Sequence, residues 1–204
     1  GPVGFNYVTV TRDDKVLFAT EERAATIVVI DLARVRGAVF DTAAITGRIP
    51  TGGAPIALAF SPGEQYLYTT EQAAPEALNW PIACKPEGQP TAAPNHPQGA
   101  VLVIDVRRAR TDAANSVLAR VPAGCNPVRL VTSPSGAYAY VTARGESNLL
   151  VFDTGNTPPG GVSGIAARDG KVYVAFNRPP MPWIRSGIAT ANLDPQNSSP
   201  VQFP

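Results

Sequence analysis

The sequence predicts an all-β fold, a β-propeller built from four-stranded antiparallel blades. Three observations predict it. One strand–turn–strand phrase recurs along the chain, each copy continues into a third strand ending in Asp, and two copies close with a nearly identical fourth strand. Self-similarity at this period marks one supersecondary unit stacked on copies of itself.

The first copy is Val8-Thr9-Val10-Thr11-Arg12-Asp13-Asp14-Lys15-Val16-Leu17-Phe18-Ala19-Thr20. The phrase returns over 58–70 around Ser61-Pro62-Gly63-Glu64, and over 130–142 around Ser133-Pro134-Ser135-Gly136. A degenerate copy spans 164–175. In each, an apolar strand meets a Pro/Gly/Asp turn, and the second strand ends in a small residue, a hydroxyl in the three full copies. The third strands are Ile27–Asp31, Val101–Asp105, Leu149–Asp153 and the weaker Thr190–Asp194. An Asp after an apolar strand and before a turn is placed to accept backbone N–H bonds, so Asp31, Asp105 and Asp153 read as structural.

Ile49-Pro50-Thr51-Gly52-Gly53-Ala54-Pro55 and Val121-Pro122-Ala123-Gly124-Cys125-Asn126-Pro127 superpose at a constant offset of 72 (49 to 121, 55 to 127). Four short β-branched and aromatic strands per unit, punctuated by Gly, Pro and Asp, describe a propeller blade. A β-sandwich with coincidental turns is the competing fold. The expected blades are 4–53, 54–124, 125–160 and 161–204, in one domain.

Composition agrees. The 204 residues are 44% hydrophobic and 16% charged, with 21 Pro and 18 Gly, which is core material with all-β punctuation. Net charge is +1, and Arg107-Arg108-Ala109-Arg110 reads as a solvated turn, so nucleic acid is not an expected partner. No run approaches the ~20 apolar residues of a membrane span.

Tyr140-Val141-Thr142-Ala143, Leu67-Tyr68-Thr69-Thr70 and Val172-Tyr173-Val174-Ala175, with the Ser-Pro turn before and the strand-ending Asp after, resemble the YVTN family of propeller repeats. That family includes lactonase-like, surface-layer and periplasmic proteins and typically has seven blades. The resemblance covers most of residues 4–154. Four units of about 50 residues fill the 204, so with seven blades implied by the resemblance they are expected to be part of a larger ring, completed by further chain or by a second copy in a homo-oligomer; a closed four-bladed ring is the alternative. An isolated four-blade arc would expose two strand edges.

Blade topology puts the loops after second strands and after fourth strands on one face of the ring. Cys84 and Cys125 both fall there, in adjacent units, so a disulfide is expected to pin the long Ala73–Gln98 insertion; two free thiols are the alternative. The bridge would contribute ~3–4 kcal/mol by loop-closure entropy and would indicate a secreted, periplasmic or cell-surface location. Asn197-Ser198-Ser199 is a weak glycosylation sequon.

Catalytic signals are sparse. His96 is the sole histidine and lies in a Pro-bounded loop, no Cys/His cluster has zinc-ligand spacing, and neither a haem-attachment motif nor a clear helix is present. On the loop face, polar groups recur at the ends of second strands: Glu21, Arg23, Glu71, Arg144, Glu146, Asn177 and Arg178, joined by Asn6 and Arg129 on innermost strands. Together they could bind an anion through arginine or hold a divalent cation such as calcium with oxygen ligands; ordinary paired surface charges are the alternative. Trp80 in the insertion and Trp183 in Arg178–Ile184 mark two Pro/Trp loops suited to a partner contact.

Two functions follow. One is an extracytoplasmic scaffold binding a protein, glycan or small molecule through its loop face, with no cofactor. The other is a lactonase-like hydrolase using a metal or an anionic substrate in the central channel.

Overall fold

The computed structural model describes residues 4–36 and 42–154, and beyond them the backbone of three strands, Val162–Arg168, Lys171–Phe176 and Ile188–Asn192. Asn177, Arg178, Trp183, Asn197 and Asp194 lie outside the described residues.

The first blade orders β1 (Phe5–Val10), β2 (Val16–Glu21), β3 (Thr26–Asp31) and β4 (Ile45–Pro50) in a sequential antiparallel sheet. The second contains β5 (Gly53–Phe60), β6 (Tyr66–Ala73), β9 (Ala100–Asp105) and β10 (Val117–Pro122). Its insertion forms a small ribbon of β7 (Ile82–Cys84) and β8 (His96–Pro97). A third sheet holds β11 (Pro127–Thr132), β12 (Tyr138–Ala143) and β13 (Asn148–Asp153). The last three strands, β14 to β16, make a further antiparallel sheet, with β14 beside β13. First strands abut first strands, β1 on β5 and β5 on β11, as in blades arranged about a common axis. The architecture is that of an all-β propeller.

Pro50 and Pro122 end the outermost strands, where a missing N–H costs no ladder bond. Among the described residues helix is confined to short turns. Single turns α1 (Leu32–Val35) and α2 (Val106–Ala109) follow the third strands, capped by Asp31 on the Ala33 N–H and by Asp105 on the Arg108 N–H, each at 2.9 Å. The strand-ending Asp is thus an N-cap rather than only a turn residue.

The core lies between blades. Phe18, Ile27, Val29 and Ile49 of the first face Leu58, Leu67, Leu102 and Ile104 of the second. Tyr68 and Val101 on the other side of the second blade meet Leu130, Val141 and Phe152 of the third. Alternation along each strand therefore serves two interfaces, which is why these strands read as nearly continuous apolar runs.

The repeated hydroxyl also has a structural use. In the first three sheets the first strand carries a bulge near its start, and the N–H freed there donates to the second-strand threonine: Tyr7 to Thr20, Ala57 to Thr70 and Arg129 to Thr142, at 3.0, 3.1 and 3.2 Å. Thr20 and Thr70 then donate to the first strand of the next blade, at Ile56 and Val128. One hydroxyl seals a bulge and ties two blades.

The tight turns share a plan as well. Thr11, Ser61 and Ser133 accept from the N–H of Val16, Tyr66 and Tyr138. The left-handed position falls on Asp14, Glu64 and Gly136, so Gly63, although adjacent, is not the residue whose φ is positive. The first two of these turns meet, the Arg12 N–H donating to Glu64, and Arg110, just after α2, pairs with Asp13 of the first turn at 2.8 Å.

Candidate functional site

On the opposite face lie the longer loops. Here the Cys84–Cys125 disulfide joins the insertion to the loop entering the third blade, with Cα atoms 5.4 Å apart. The same connection is reinforced by backbone bonds between Gly99 and Gly124 and between Ala123 and Gly99. Gly99 is obligatory: a Cβ there would meet the Glu71 carbonyl at 2.3 Å.

The carboxylates expected at the channel mouth are turned inward. Glu21, 3% exposed, accepts from Thr26 at 2.7 Å and from Arg48 at 3.2 Å. Glu71, fully buried, accepts from the Gly52 N–H at 2.5 Å and faces Arg120 at 3.4 Å. That second separation is an ion pair rather than a hydrogen bond, so Glu71 Oε1 and Arg120 Nε lack hydrogen-bond partners. Burial pushes the Glu71 carboxyl up, and Gly52 and Arg120 only partly oppose it. Glu21 and Glu71 occupy equivalent repeat positions, as do Arg48 and Arg120, so the two blades carry the same Glu–Arg pair. The third has Ala143 instead. Gly47-Arg48-Ile49-Pro50 aligned with Ala119-Arg120-Val121-Pro122 was the available signal for these pairs.

Other expected residues disperse. Arg23 is exposed, Arg129 is exposed on β11, and Asn6 donates to Glu22 at 2.6 Å. Glu146 accepts from Asn148 at 2.9 Å and lies beside the disulfide. Cys84, Cys125 and Glu146 are the described group of three with metal-ligand atoms in reach of one another, but both sulfurs are committed to the bridge. Trp80 packs, half-buried, against the first interblade core. His96 is held by backbone, with Nδ1 2.8 Å from the Pro97 carbonyl and Nε2 3.1 Å from that of Lys85.

What this face does assemble is a cleft of about 250 Å³. One wall is the turn Lys85–Pro90 of the insertion, closed by Gln89 N–H on Pro86 and by Lys85 Nζ on Pro90 at 2.7 Å, with Gly88 at positive φ. The other is Asn126, Arg144 and Gly145. Arg144 and Gly145 donate their N–H groups to Asn126 and Cys125, both at 3.0 Å. Gly145 has no space for a side chain, because a Cβ would lie 2.9 Å from that of Cys125. Arg144 pairs with Glu87 across the opening. Lys85 and Asn126 directly follow the two cysteines, so the disulfide holds both walls in register. Arg144 was legible in the sequence; Glu87 and Asn126 were not.

This geometry defines a propeller blade array with a loop-face cleft, and solved structures bear out that class of fold. No protein-family model matches the sequence. No curated protein matches it either. Hydrazine synthase from Kuenenia stuttgartiensis is similar at 20% identity and a TM-score of 0.53, over 94% of this chain and 46% of that one. A putative 6-phosphogluconolactonase from Bacteroides fragilis NCTC 9343 is similar at 14% identity and 0.52, over 76% and 37%. The dihydro-heme d1 dehydrogenase NirN is similar at 12% and 0.52, over 97% and 36%. This chain spans less than half the length of each. At such identities the likeness is one of fold.

Proposed function

We propose that this chain is an extracytoplasmic propeller scaffold of the lactonase-like, YVTN-repeat kind that acts by binding a small ligand or partner through its loop face. The observation that carries this reading is the cleft between Lys85–Pro90 and Asn126–Arg144–Gly145, braced by a disulfide. The opposite face carries tight turns tied to one another and to the segment after α2. A concave site with a few convergent polar groups on a rigid scaffold is where binding is expected.

The disulfide supports an oxidising compartment. Among the described residues no helix is long and apolar enough to cross a membrane. A hydrolytic reading has no comparable support: the ring of His96, the sole histidine, faces backbone carbonyls on both sides, Pro97 at 2.8 Å and Lys85 at 3.1 Å, and no nucleophile.

A thermal-shift screen of amino acids, sugars and organic acids tests the reading. Hits should weaken in Arg144→Glu and persist in Lys15→Glu, on the tight-turn face. The reverse dependence would place the working surface on the other side.

A further inference from the structure

Resting on that reading of the loop face, we infer that the cleft is a site for a zwitterion of the α-amino acid class, its carboxylate taken by Arg144 and its ammonium by Glu87. The first observation is the Arg144–Glu87 pair itself. It joins the two walls through side chains about half exposed, 52% and 45%, and exposed ion pairs of this kind contribute only ~0–1 kcal/mol. A ligand can therefore part them at small cost.

Charge balance selects the ligand. A simple anion on Arg144 would leave the Glu87 carboxylate without its cation, and a simple cation on Glu87 would strand the guanidinium. A molecule bearing both charges replaces one internal pair with two, each a charge-assisted hydrogen bond. Lys85, on the same wall as Glu87, is anchored to the Pro90 carbonyl at 2.7 Å; its charge adds to the pull on a carboxylate in the cleft and makes a simple cation on Glu87 less favourable still.

The second observation is Asn126. It is 4% exposed, lines the cleft, and among the described residues its side-chain amide makes no hydrogen bond; only its backbone carbonyl is engaged, by Arg144. The residue as a whole is buried, but its amide is not among the buried polar atoms without a partner, so the amide opens toward solvent in the cleft it lines. Its two N–H donors and one carbonyl suit a carboxylate and an ammonium carried by one carbon. Size agrees, because about 250 Å³ lies below the ~300–1,000 Å³ of sites for drug-sized ligands.

Calorimetric titration of the intact, oxidised chain with L-alanine, N-acetyl-L-alanine, L-alaninamide and acetate tests this. L-alanine should bind, and each of the other three should bind at least ~10-fold more weakly, since each loses one charge-assisted contact. Glu87→Gln and Arg144→Gln should each weaken L-alanine ~10-fold or more, with unchanged melting temperature. Asn126→Asp, which keeps the shape and the left-handed backbone, should selectively weaken carboxylate recognition. N-acetyl-L-alanine or acetate binding as tightly as L-alanine would overturn the zwitterion assignment while leaving a loop-face site intact. L-alanine binding that ignores both Glu87→Gln and Arg144→Gln would overturn the cleft itself. No binding by any of the four overturns the inference, and the wider screen then decides separately whether the loop face binds anything.

Discussion

The Thr70 hydroxyl donates to the carbonyl of Val128, 3.3 Å away across the boundary between the second and third blades. The same oxygen accepts from the buried Ala57 N–H at 3.1 Å. Replacing Thr70 by Val keeps the shape and removes both bonds, leaving a buried donor unpaired. A loss of ~1–3 kcal/mol is expected in urea unfolding. Thr70→Ser should recover most of it. Equal losses for Val and Ser would show that the methyl group, not the hydroxyl, carries the effect.

Glu71 makes stability depend on pH in an unusual direction. Its carboxyl is raised above the ordinary 4.5, mainly by burial. Between that value and the raised one, the folded state holds a proton that the unfolded chain has released. The contribution of this group is therefore fully present below about pH 4.5 and is lost as pH rises through the folded value. The unfolding free energy of wild type minus that of Glu71→Gln should fall with rising pH across that window. A flat difference would mean that Arg120 compensates fully. Glu71→Ala, which leaves Arg120 facing a void, should cost about 3 kcal/mol at neutral pH, toward the low end for a buried pair because Arg120 keeps some solvent access.

Reduction of the Cys84–Cys125 bridge frees an interval of 41 residues. By loop-closure entropy the loss is ~3–4 kcal/mol. The double Ser variant should match the reduced wild type in melting temperature. Under non-reducing conditions, mass spectrometry should show two hydrogens missing and one cross-linked peptide pair. Because the bridge also positions Lys85 and Asn126, reduction should weaken any ligand of the cleft below the melting transition.

Ala54 sits at φ 50°, in the left-handed region, and its repeat counterpart Asn126 sits at φ 52°. Alanine is strained there and glycine is not. Ala54→Gly should therefore stabilise the protein by ~0.5–1 kcal/mol. This is the opposite of the usual effect of placing glycine in a strand. A drop in the urea midpoint would mean that the Ala54 methyl packs better than its exposure implies.

Much of this protein was written locally. The strand–turn–strand copies, the fourth strands at an offset of 72 (Ile49 to Val121), and the Asp that ends each third strand could be read directly. Period-two side chains and turn chemistry act over a few residues, and repetition let each unit vouch for the next. The disulfide was also legible, since topology alone put Cys84 and Cys125 in neighbouring loops. Tertiary packing alone decided the fate of the polar strand ends. Whether Glu21 or Glu71 faces a channel or a core depends on an arginine two strands away in the sheet, Arg48 or Arg120, brought within 3.2 and 3.4 Å. Burial made pairing obligatory, because an isolated carboxylate cannot be left without a partner in a dry interface. The cleft likewise required the insertion to fold back onto the third blade, bringing Glu87 to Arg144 across more than fifty residues of chain. No local pattern encodes that meeting; it follows from which surfaces the blades and their bridge bring together.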